Sequence, residues 1–215
     1  MPPAIEVLYA DADLLVVDKP AGVLSVPGRG ADKQDCVLSS LLVEWPDARV
    51  VHRLDMATSG VMLLARGAPM QRAMSQLFAQ RAVHKCYVAV VVGRPALDAG
   101  SIELPLSADW PRRPLQKVDV AGKPALTHWR VLHHDPVTDT TRLALRPVTG
   151  RTRQLRLHLQ AVGHPIVGDL LYAPSLYAAS EGQAGAARML LHAHELRWVH
   201  PGTGRCVSVR SDVPF

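Results

Sequence analysis

The chain has 215 residues, 48% of them hydrophobic, which is enough to bury the core of one large domain or two small ones. We interpret it as one continuous domain over residues 1–215. Lysine and arginine number 24 against 19 aspartate and glutamate, and the net charge of +5 favours a polyanionic partner. The three cysteines are widely spaced, which argues against a disulfide framework and against a thiolate metal site.

The start of the chain shows no secretory signal, and no apolar run reaches the roughly 18 residues that a membrane span needs. We therefore expect a cytoplasmic protein without a membrane partner. Residues 5–9 and 14–17 are apolar runs on either side of a short polar turn, which predicts a β-hairpin. Lys19 follows this hairpin on a turn, where it is either solvated or within reach of a phosphate.

Two helices are predicted in the first half of the chain. Residues 37–45 have the spacing of a short helix, which the following proline stops. Residues 68–81 form an amphipathic helix, and the methionines on its apolar face are expected in the core rather than at a cofactor.

Between these helices, residues 50–64 read VVHRLDMATSGVMLL. Short apolar runs flank a polar segment and indicate two strand ends with a turn between them. The turn carries His52, Arg53, Asp55, Thr58 and Ser59. An arginine close to an aspartate favours the ionised carboxylate, which can then act as a nucleophile or a base. From the pattern alone, an ordinary surface turn with an Arg–Asp pair is the favoured interpretation.

The second half of the chain is predicted to be mostly strands. Residues 84–93, 101–106, 125–134 and 140–148 are short apolar runs, and hairpin turns join several of them. Many strands and few helices predict an α+β fold with a mixed, largely antiparallel sheet. Tyr87, at the entrance of the first of these strands, is by propensity a strand aromatic with its hydroxyl at the surface.

Two clusters of arginine suggest anion binding. Arg112, Arg113 and Lys117 lie beside Trp110 in a proline-rich stretch, where an aromatic ring and arginine offer base stacking and phosphate contact. An exposed connector is the alternative for this stretch. Arg151, Arg153 and Arg156 lie near the start of a helix predicted at residues 152–162. Positive charge at a helix start interacts unfavourably with the helix dipole, and a bound anion would offset that cost.

No cofactor or metal site is expected. His192 and His194 share a face of a predicted strand, but no third ligand stands at a diagnostic spacing. The chain has no P-loop and no GxGxxG motif. Residues 182–187 are a small-residue loop.

The HRLD segment, followed by TSGVMLL, resembles the signature of the RluA family of RNA pseudouridine synthases. The resemblance continues along most of the chain, in DKPAGVLSVPG, KCYVAVVVG, DWPRRPLQKV, GKPALT, PVTGRTRQLRLHLQAVGHPIVGD and LLHAHEL. It implies a pseudouridine-synthase-like fold with a catalytic cleft across the sheet. It also implies a cofactor-free isomerisation of uridine to pseudouridine in RNA. Because the first family strand begins by Ile5, we expect no S4 domain.

The resemblance implies roles for individual residues. Asp55 is the expected catalytic carboxylate, Tyr87 is an active-site tyrosine beside it, and Arg156, with Arg53 as a further candidate, holds Asp55 ionised. Arg153 stands where the family more often has histidine, so its role is open. We assign RNA contact to the following set: Lys19, His52, Thr58, Arg112, Arg113, Lys117, Arg151 and Arg153.

The Trp-Pro-x-Arg-Pro segment is most similar to the family member that modifies both tRNA and 23S rRNA. We therefore expect the substrates to be a tRNA anticodon stem-loop and a similar 23S rRNA hairpin, bound by a monomer. Two other classes stay open. A nucleoside or glycoside hydrolase would use Asp55 with a second acid such as Glu103 or Asp169, and a non-catalytic RNA-binding protein would need neither.

Overall fold

The computed structural model describes residues 4–30, 33–174 and 188–215. The loop expected at residues 182–187 lies outside these ranges. Backbone packing divides the chain into two compact units. Unit 1 comprises Met1–Lys85 and His192–Pro214, and unit 2 comprises Cys86–Leu191 with Phe215. In the described part of the chain, every helix is too short or too polar to cross a membrane.

Fifteen elements follow one another along the described residues. The strands are β1 (Glu6–Ala10), β2 (Leu14–Lys19), β3 (Ala48–Val50), β4 (Ser59–Arg66), β5 (His84–Val92), β6 (Ala99–Glu103), β7 (Leu106–Ala108), β8 (Gln116–Val118), β9 (Leu126–Asp135), β10 (Thr140–Pro147), β11 (Leu191–Val199) and β12 (Cys206–Arg210). The helices are α1 (Val37–Leu41), α2 (Gly67–Ala79) and α3 (Gln154–Ala161).

Unit 1 contains a sheet in which β1, β2, β4 and β11 lie side by side. The pairs β1–β2 and β2–β4 are antiparallel, and β4 and β11 are parallel. β3 also pairs with β4, and β12 pairs with β11. The hairpin predicted at the start of the chain is thus confirmed.

The core of unit 1 lies between this sheet and α2. β2 and β4 are almost continuously apolar, so nearly all of their side chains are buried. The helix contributes Met74, with Met70, Leu77 and Phe78 packed beside it, which confirms its predicted apolar face. The buried cluster consists of Leu14, Val16, Val61, Leu63, Ala65, Met74, Val83, Leu196, Trp198 and Val209.

The first predicted helix is shorter than expected. Helix α1 ends at Leu41, although the prediction extended it to residue 45. Its start is well defined, because Cys36 caps it and the Ser39 side chain bonds back to the Cys36 amide. At the other end Val43 is 83% exposed. A β-branched residue with no packing partner, close before a proline, gives little reason for the helix to continue.

Unit 2 contains an antiparallel sheet with the strand order β5, β10, β9, β6. β7 and β8 form a separate short hairpin, which was expected only as a loop. Helix α3 begins at Gln154, two residues later than expected, and its Leu157 packs with Leu106 and Ala125.

Gly60, in the TSG segment, allows β4 to approach β11 closely. Its φ of +106° is one that L side chains rarely adopt. A Cβ atom at this position would also lie 2.7 Å from the amide nitrogen of Ala193 and would clash with the Ala193 carbonyl. The parallel pairing of His192 with Ser59 and of Ala193 with Gly60 therefore depends on glycine at this position.

Gly60→Ala is expected to lower the free energy of unfolding by about 2–6 kcal/mol, because backbone strain and a backbone clash add together. The measurement is urea denaturation followed by circular dichroism. Gly204→Ala is the matched control, since Gly204 also has a positive φ but nothing lies within 4 Å of its Cβ position. That variant should lose only about 1–2 kcal/mol, and equal losses in the two variants would contradict the close approach.

Candidate active site

The segment between β3 and β4 carries Asp55, which is half-buried. The Thr58 amide donates to the Asp55 carbonyl at 3.0 Å and closes a tight turn. The preceding residue, Leu54, is buried. The Ser25 hydroxyl holds Leu54 on both sides: it donates to the Leu54 carbonyl at 2.8 Å and accepts from the Leu54 amide at 3.1 Å. The backbone around Asp55 is therefore fixed by a neighbouring loop.

Lys19 is fully buried at the end of β2, so its expected contact with a phosphate is wrong. Its ammonium group donates to the carbonyl oxygens of Pro20 at 2.8 Å, Val23 at 2.7 Å and Met56 at 3.1 Å. The Gly22 amide also donates to the Met56 carbonyl, at 2.8 Å. Lys19 thus joins the loop after β2 to the segment between β3 and β4 (residues 51–58, the Asp55 loop) instead of facing solvent.

His52, which is half-buried, has contacts within the protein besides the RNA contact predicted for it. Its Nε2 accepts from the Leu63 amide at 2.9 Å, and its ring stacks on Phe78 with centroids 4.6 Å apart. Burial, and secondarily the positive charge of Lys85, lower the pKa of His52 from 6.5 to about 3. The ring is therefore neutral at pH 7, as an acceptor of an amide proton must be.

Thr58 is buried, so its side chain has little surface for the RNA contact predicted for it. Arg53, by contrast, is exposed on the same loop. Asp55, Arg53, His52 and Thr58 thus stay together in unit 1. Among them Arg53 is exposed, His52 and Asp55 are half-buried, and Thr58 is buried.

The other predicted catalytic residues, Tyr87 and Arg156, lie in unit 2. Tyr87 is half-buried on β5, where it pairs with Leu145 of β10. Arg156 is buried in the first turn of α3. Its Nε and one Nη donate to the two carboxylate oxygens of Asp169, at 2.8 and 2.6 Å. This bidentate pair uses two of the five N–H groups of the guanidinium.

The pairing of Arg156 with Asp169 was not foreseen. The carboxylate is almost completely buried and also accepts from the amides of Leu171 and Tyr172. Such a group is a structural counterion, which disfavours its use as the second acid of a hydrolase. The signal was present in the sequence, since Asp169 ends the HPIVGD segment, but spacing alone does not tell which charge it meets.

Tyr172 completes the surroundings of Arg156. Its ring centroid is 5.4 Å from the guanidinium carbon. Its hydroxyl accepts from the Gln116 amide at 3.0 Å. Burial raises the pKa of Tyr172, so the phenol stays protonated at neutral pH. No pattern in the sequence pointed to this residue.

Arg151 and Arg153 lie just before α3 and have backbone partners. Arg151 Nε donates to the Pro124 carbonyl at 3.1 Å, and Arg153 Nη1 donates to the Pro114 carbonyl at 2.6 Å. These hydrogen bonds give a structural reason for cations beside the helix start, so a bound anion is not needed to explain them.

The β7–β8 hairpin carries exposed basic residues, Arg112 and Arg113 at its tip (residues 109–115) and Lys117 on β8. Arg113 stacks on Trp110 with its guanidinium carbon 3.8 Å from the ring centroid, and Trp110 is 66% exposed. Arg112 forms an ion pair with Asp109 at 2.6 Å, yet its side chain is 72% exposed. Lys117 lies 3.3 Å from Asp119. Internal partners therefore orient these cations while at least half of the Arg112 and Lys117 side-chain surface faces water.

The two histidines considered for metal binding contact protein groups. His192 Nδ1 shares a hydrogen bond with the Ser59 hydroxyl at 2.8 Å. His194 Nδ1 lies 2.7 Å from the Ser211 carbonyl. The first hydrogen bond joins β11 to the TSG segment and supports the same pairing as Gly60.

Known proteins resemble this chain over almost its whole length. A sequence model of the family described as RNA pseudouridylate synthase matches residues 13–161. An Escherichia coli protein named dual-specificity RNA pseudouridine synthase RluA is 44% identical over 214 residues, which cover 99% of this chain and 95% of that protein. The chain belongs to the RNA pseudouridylate synthase family. The expected enzyme class, an RNA pseudouridine synthase, is thus confirmed.

Other members of the family agree. The Yersinia pestis protein of the same name is 44% identical over 210 residues, covering 97% of this chain and 99% of that protein. The structure of human RNA pseudouridylate synthase domain containing 1 has a TM-score of 0.81 at 30% identity, covering 100% of this chain and 87% of that one. The structure of human RNA pseudouridylate synthase domain containing 4 has a TM-score of 0.79 at 24% identity, covering 97% of this chain and 88% of that one. The predicted pseudouridine synthase fold is confirmed.

The depressed pKa of His52 predicts a stability change with pH. An unfolded histidine titrates near 6.5, so between about pH 6.5 and 3 the unfolded chain binds a proton that the folded chain does not. Stability contributed by neutral His52 is complete above pH 6.5 and decreases as the pH falls through this window. The slope from this one group is at most about 1.4 kcal/mol per pH unit.

His52→Gln, which does not titrate, should therefore flatten the decline of unfolding free energy between pH 6.5 and 4, as measured by urea denaturation. Its stability at pH 7 should be lower, because the ring that stacks on Phe78 is removed. The control is His84→Gln, since His84 is exposed. Parallel pH profiles for wild type and His52→Gln would show that His52 is not the group responsible.

Proposed function

We propose that this enzyme isomerises specific uridines in RNA loops, with Asp55 as its catalytic carboxylate. The reaction breaks the N1–C1′ bond of uridine and joins C5 to C1′, so it needs no redox partner and no donated group. The observation that carries the proposal is the Asp55 loop: a half-buried aspartate on a backbone that Ser25 and Lys19 hold in place. Preorganisation of this kind is what a reacting carboxylate requires.

Asp55 can act in two ways. It can attack C1′, as the nucleophile of a retaining glycosidase does, or it can remove a sugar proton and release the base through a glycal. Both routes need an ionised carboxylate. A glycosidase also needs a second acid for its leaving group, whereas here the base stays bound and turns over.

Arg156 and Tyr87 are the proposed partners of Asp55. Arg156 would hold Asp55 ionised through donors that Asp169 does not use, with Arg53 as a second candidate for that role. Tyr87 would stack on the target base and assist transfer of the C5 proton. The match of the family model to residues 13–161 spans parts of both units, which supports a single catalytic domain that includes all four residues.

Asp55→Asn is expected to reduce pseudouridine formation by more than about 10³-fold while RNA affinity stays near that of wild type, because the amide keeps the shape of the carboxylate but not its charge. The substrate is an isolated anticodon stem-loop. Pseudouridine is detected as a mass-silent isomer by cyanoethylation, or as a reverse-transcription stop after carbodiimide treatment.

Asp98→Asn, which changes an exposed aspartate, is the control and should retain full activity. Wild-type activity in Asp55→Asn would exclude its catalytic role.

In the same assay, Tyr87→Phe should slow product formation with modest loss of binding, and a wild-type rate would leave Tyr87 only its stacking role. Release of free uracil would instead indicate a hydrolase, and binding without any altered nucleoside would indicate a non-catalytic RNA-binding protein.

The proposed substrates are a tRNA anticodon stem-loop and a similar hairpin of 23S rRNA. A uridine inside a stem cannot reach a carboxylate, and extrusion costs least in a loop, where stacking is already partly lost. The relatives named as dual-specificity RNA pseudouridine synthases support more than one target. We propose that the enzyme acts as a cytoplasmic monomer and reads loop shape. A requirement for full-length tRNA or ribosomal particles would contradict this proposal.

The basic β7–β8 hairpin is the proposed RNA-binding site. Trp110 offers an exposed ring for base stacking, and Arg112, Arg113 and Lys117 offer oriented cations for phosphates. Arg153 reaches the tip at the Pro114 carbonyl, and Arg151 bonds the Pro124 carbonyl. Each guanidinium has further N–H donors beyond the one in that hydrogen bond.

Neutralising Arg112 and Arg113 together, as Arg112→Gln/Arg113→Gln, should weaken binding to both RNAs. It should also reduce the slope of log affinity against log salt by about two units, one for each phosphate that the variant no longer neutralises. Filter binding over a series of salt concentrations measures this slope. Arg72→Gln/Arg205→Gln removes the same charge from exposed positions in unit 1 and should leave the slope unchanged. Equal slopes in all three proteins would place the phosphate-binding residues elsewhere.

A further inference from the structure

The β7–β8 hairpin is too small to fix its own position. Each strand has three residues, and the tip closes through the Asp109 amide to the Leu115 carbonyl at 3.1 Å and the Leu115 amide to the Arg112 carbonyl at 2.9 Å. An isolated two-stranded hairpin is marginally stable in water. Where its tip lies must therefore depend on interactions with the rest of unit 2.

One such interaction comes from Arg153, which reaches the Pro114 carbonyl at 2.6 Å. The residue precedes α3 with a left-handed backbone, φ +54° and ψ +24°. A non-glycine residue in this conformation is uncommon and indicates that its surroundings require it. Pro114 lies in the tip, between Arg113 and the return strand. Arg153 thus ties the tip directly to the turn that begins α3, three residues before Arg156.

A second interaction comes from Tyr172, whose hydroxyl accepts from the Gln116 amide at the first residue of β8. The same ring lies against the Arg156 guanidinium, and the Tyr172 amide donates to Asp169 at 3.1 Å. One side chain therefore touches the hairpin at one end and the buried arginine at the other. Arg153 and Tyr172 join the tip to the surroundings of Arg156 by independent routes.

We propose that Arg153 and Tyr172 are positioning residues that hold the β7–β8 hairpin, the proposed RNA-binding element, at a fixed place relative to Arg156. The part of this proposal that concerns RNA rests on the proposed function, whereas the part that concerns the hairpin does not. It also gives Arg153 a role at a position where the resembling family more often has histidine, because this side chain bonds a carbonyl of the hairpin tip.

The first test needs no RNA. In Tyr172→Phe and Arg153→Met, amide hydrogen exchange at Asp109 and Leu115 should accelerate roughly two- to tenfold, the range for removal of one hydrogen bond. Both amides bond within the hairpin and keep their partners in the variants. Arg153→Lys, which retains a cationic donor, should recover much of the protection. Tyr9→Phe, which removes a hydroxyl bonded to Asp11 in unit 1, is the control and should not change this exchange.

The second test separates positioning from catalysis and from phosphate binding. With a stem-loop substrate, Tyr172→Phe should raise KM about three- to tenfold, while the single-turnover rate at saturating RNA stays within about twofold and the salt slope stays at its wild-type value. Unchanged hydrogen exchange in both variants would overturn the proposal. So would a lower saturating rate at unchanged KM, because Tyr172 would then act on Arg156 itself. If wild type forms no pseudouridine, the proposed function fails while the exchange result still decides the role of Arg153 and Tyr172 at the hairpin.

Discussion

The buried ammonium of Lys19 is the constraint on which the Asp55 loop depends. Removing such a group from water costs several kcal/mol unless polar partners replace its hydration. The carbonyls of Pro20, Val23 and Met56 do so, and they can do so only when the loop after β2 and the loop that carries Asp55 lie together. A positive charge in the interior thus makes one arrangement of the two loops far more favourable than its alternatives.

Unit 2 uses a comparable arrangement around Arg156. Its bidentate pair with Asp169 is buried, and a buried pair whose geometry is incomplete would be costly. Two backbone amides complete the hydrogen bonding of the carboxylate, and the Tyr172 ring covers the guanidinium. In unit 1, therefore, the loop that carries Asp55 lies beside the buried cation Lys19. In unit 2 the expected catalytic residue Arg156 is itself the buried cation. Surrounding polar groups satisfy the charge of each.

The sequence predicted elements well where the pattern is local. The first hairpin, the apolar face of α2 and the antiparallel strands follow from periodicities within a few residues, and the family motifs located the Asp55 loop. Side-chain roles were harder, because they depend on partners distant in sequence. Lys19 looks like any turn lysine until Met56, 37 residues on, supplies a carbonyl. His52 and Asp169 likewise show their roles only beside Leu63 and Arg156.

The parallel pairing of β4 with β11 has a consequence for biosynthesis. The Ser59 hydroxyl and its partner His192 are 133 residues apart, so at normal translation rates on the order of 10 s passes between their syntheses. Until β11 emerges, the strand that follows the Asp55 loop lacks its neighbour at Gly60. Long-range closure of this kind is slow and late. We therefore expect the Asp55 loop to reach its final structure only after β11 has been synthesised, so that nascent chains that lack β11 do not modify the RNA around them.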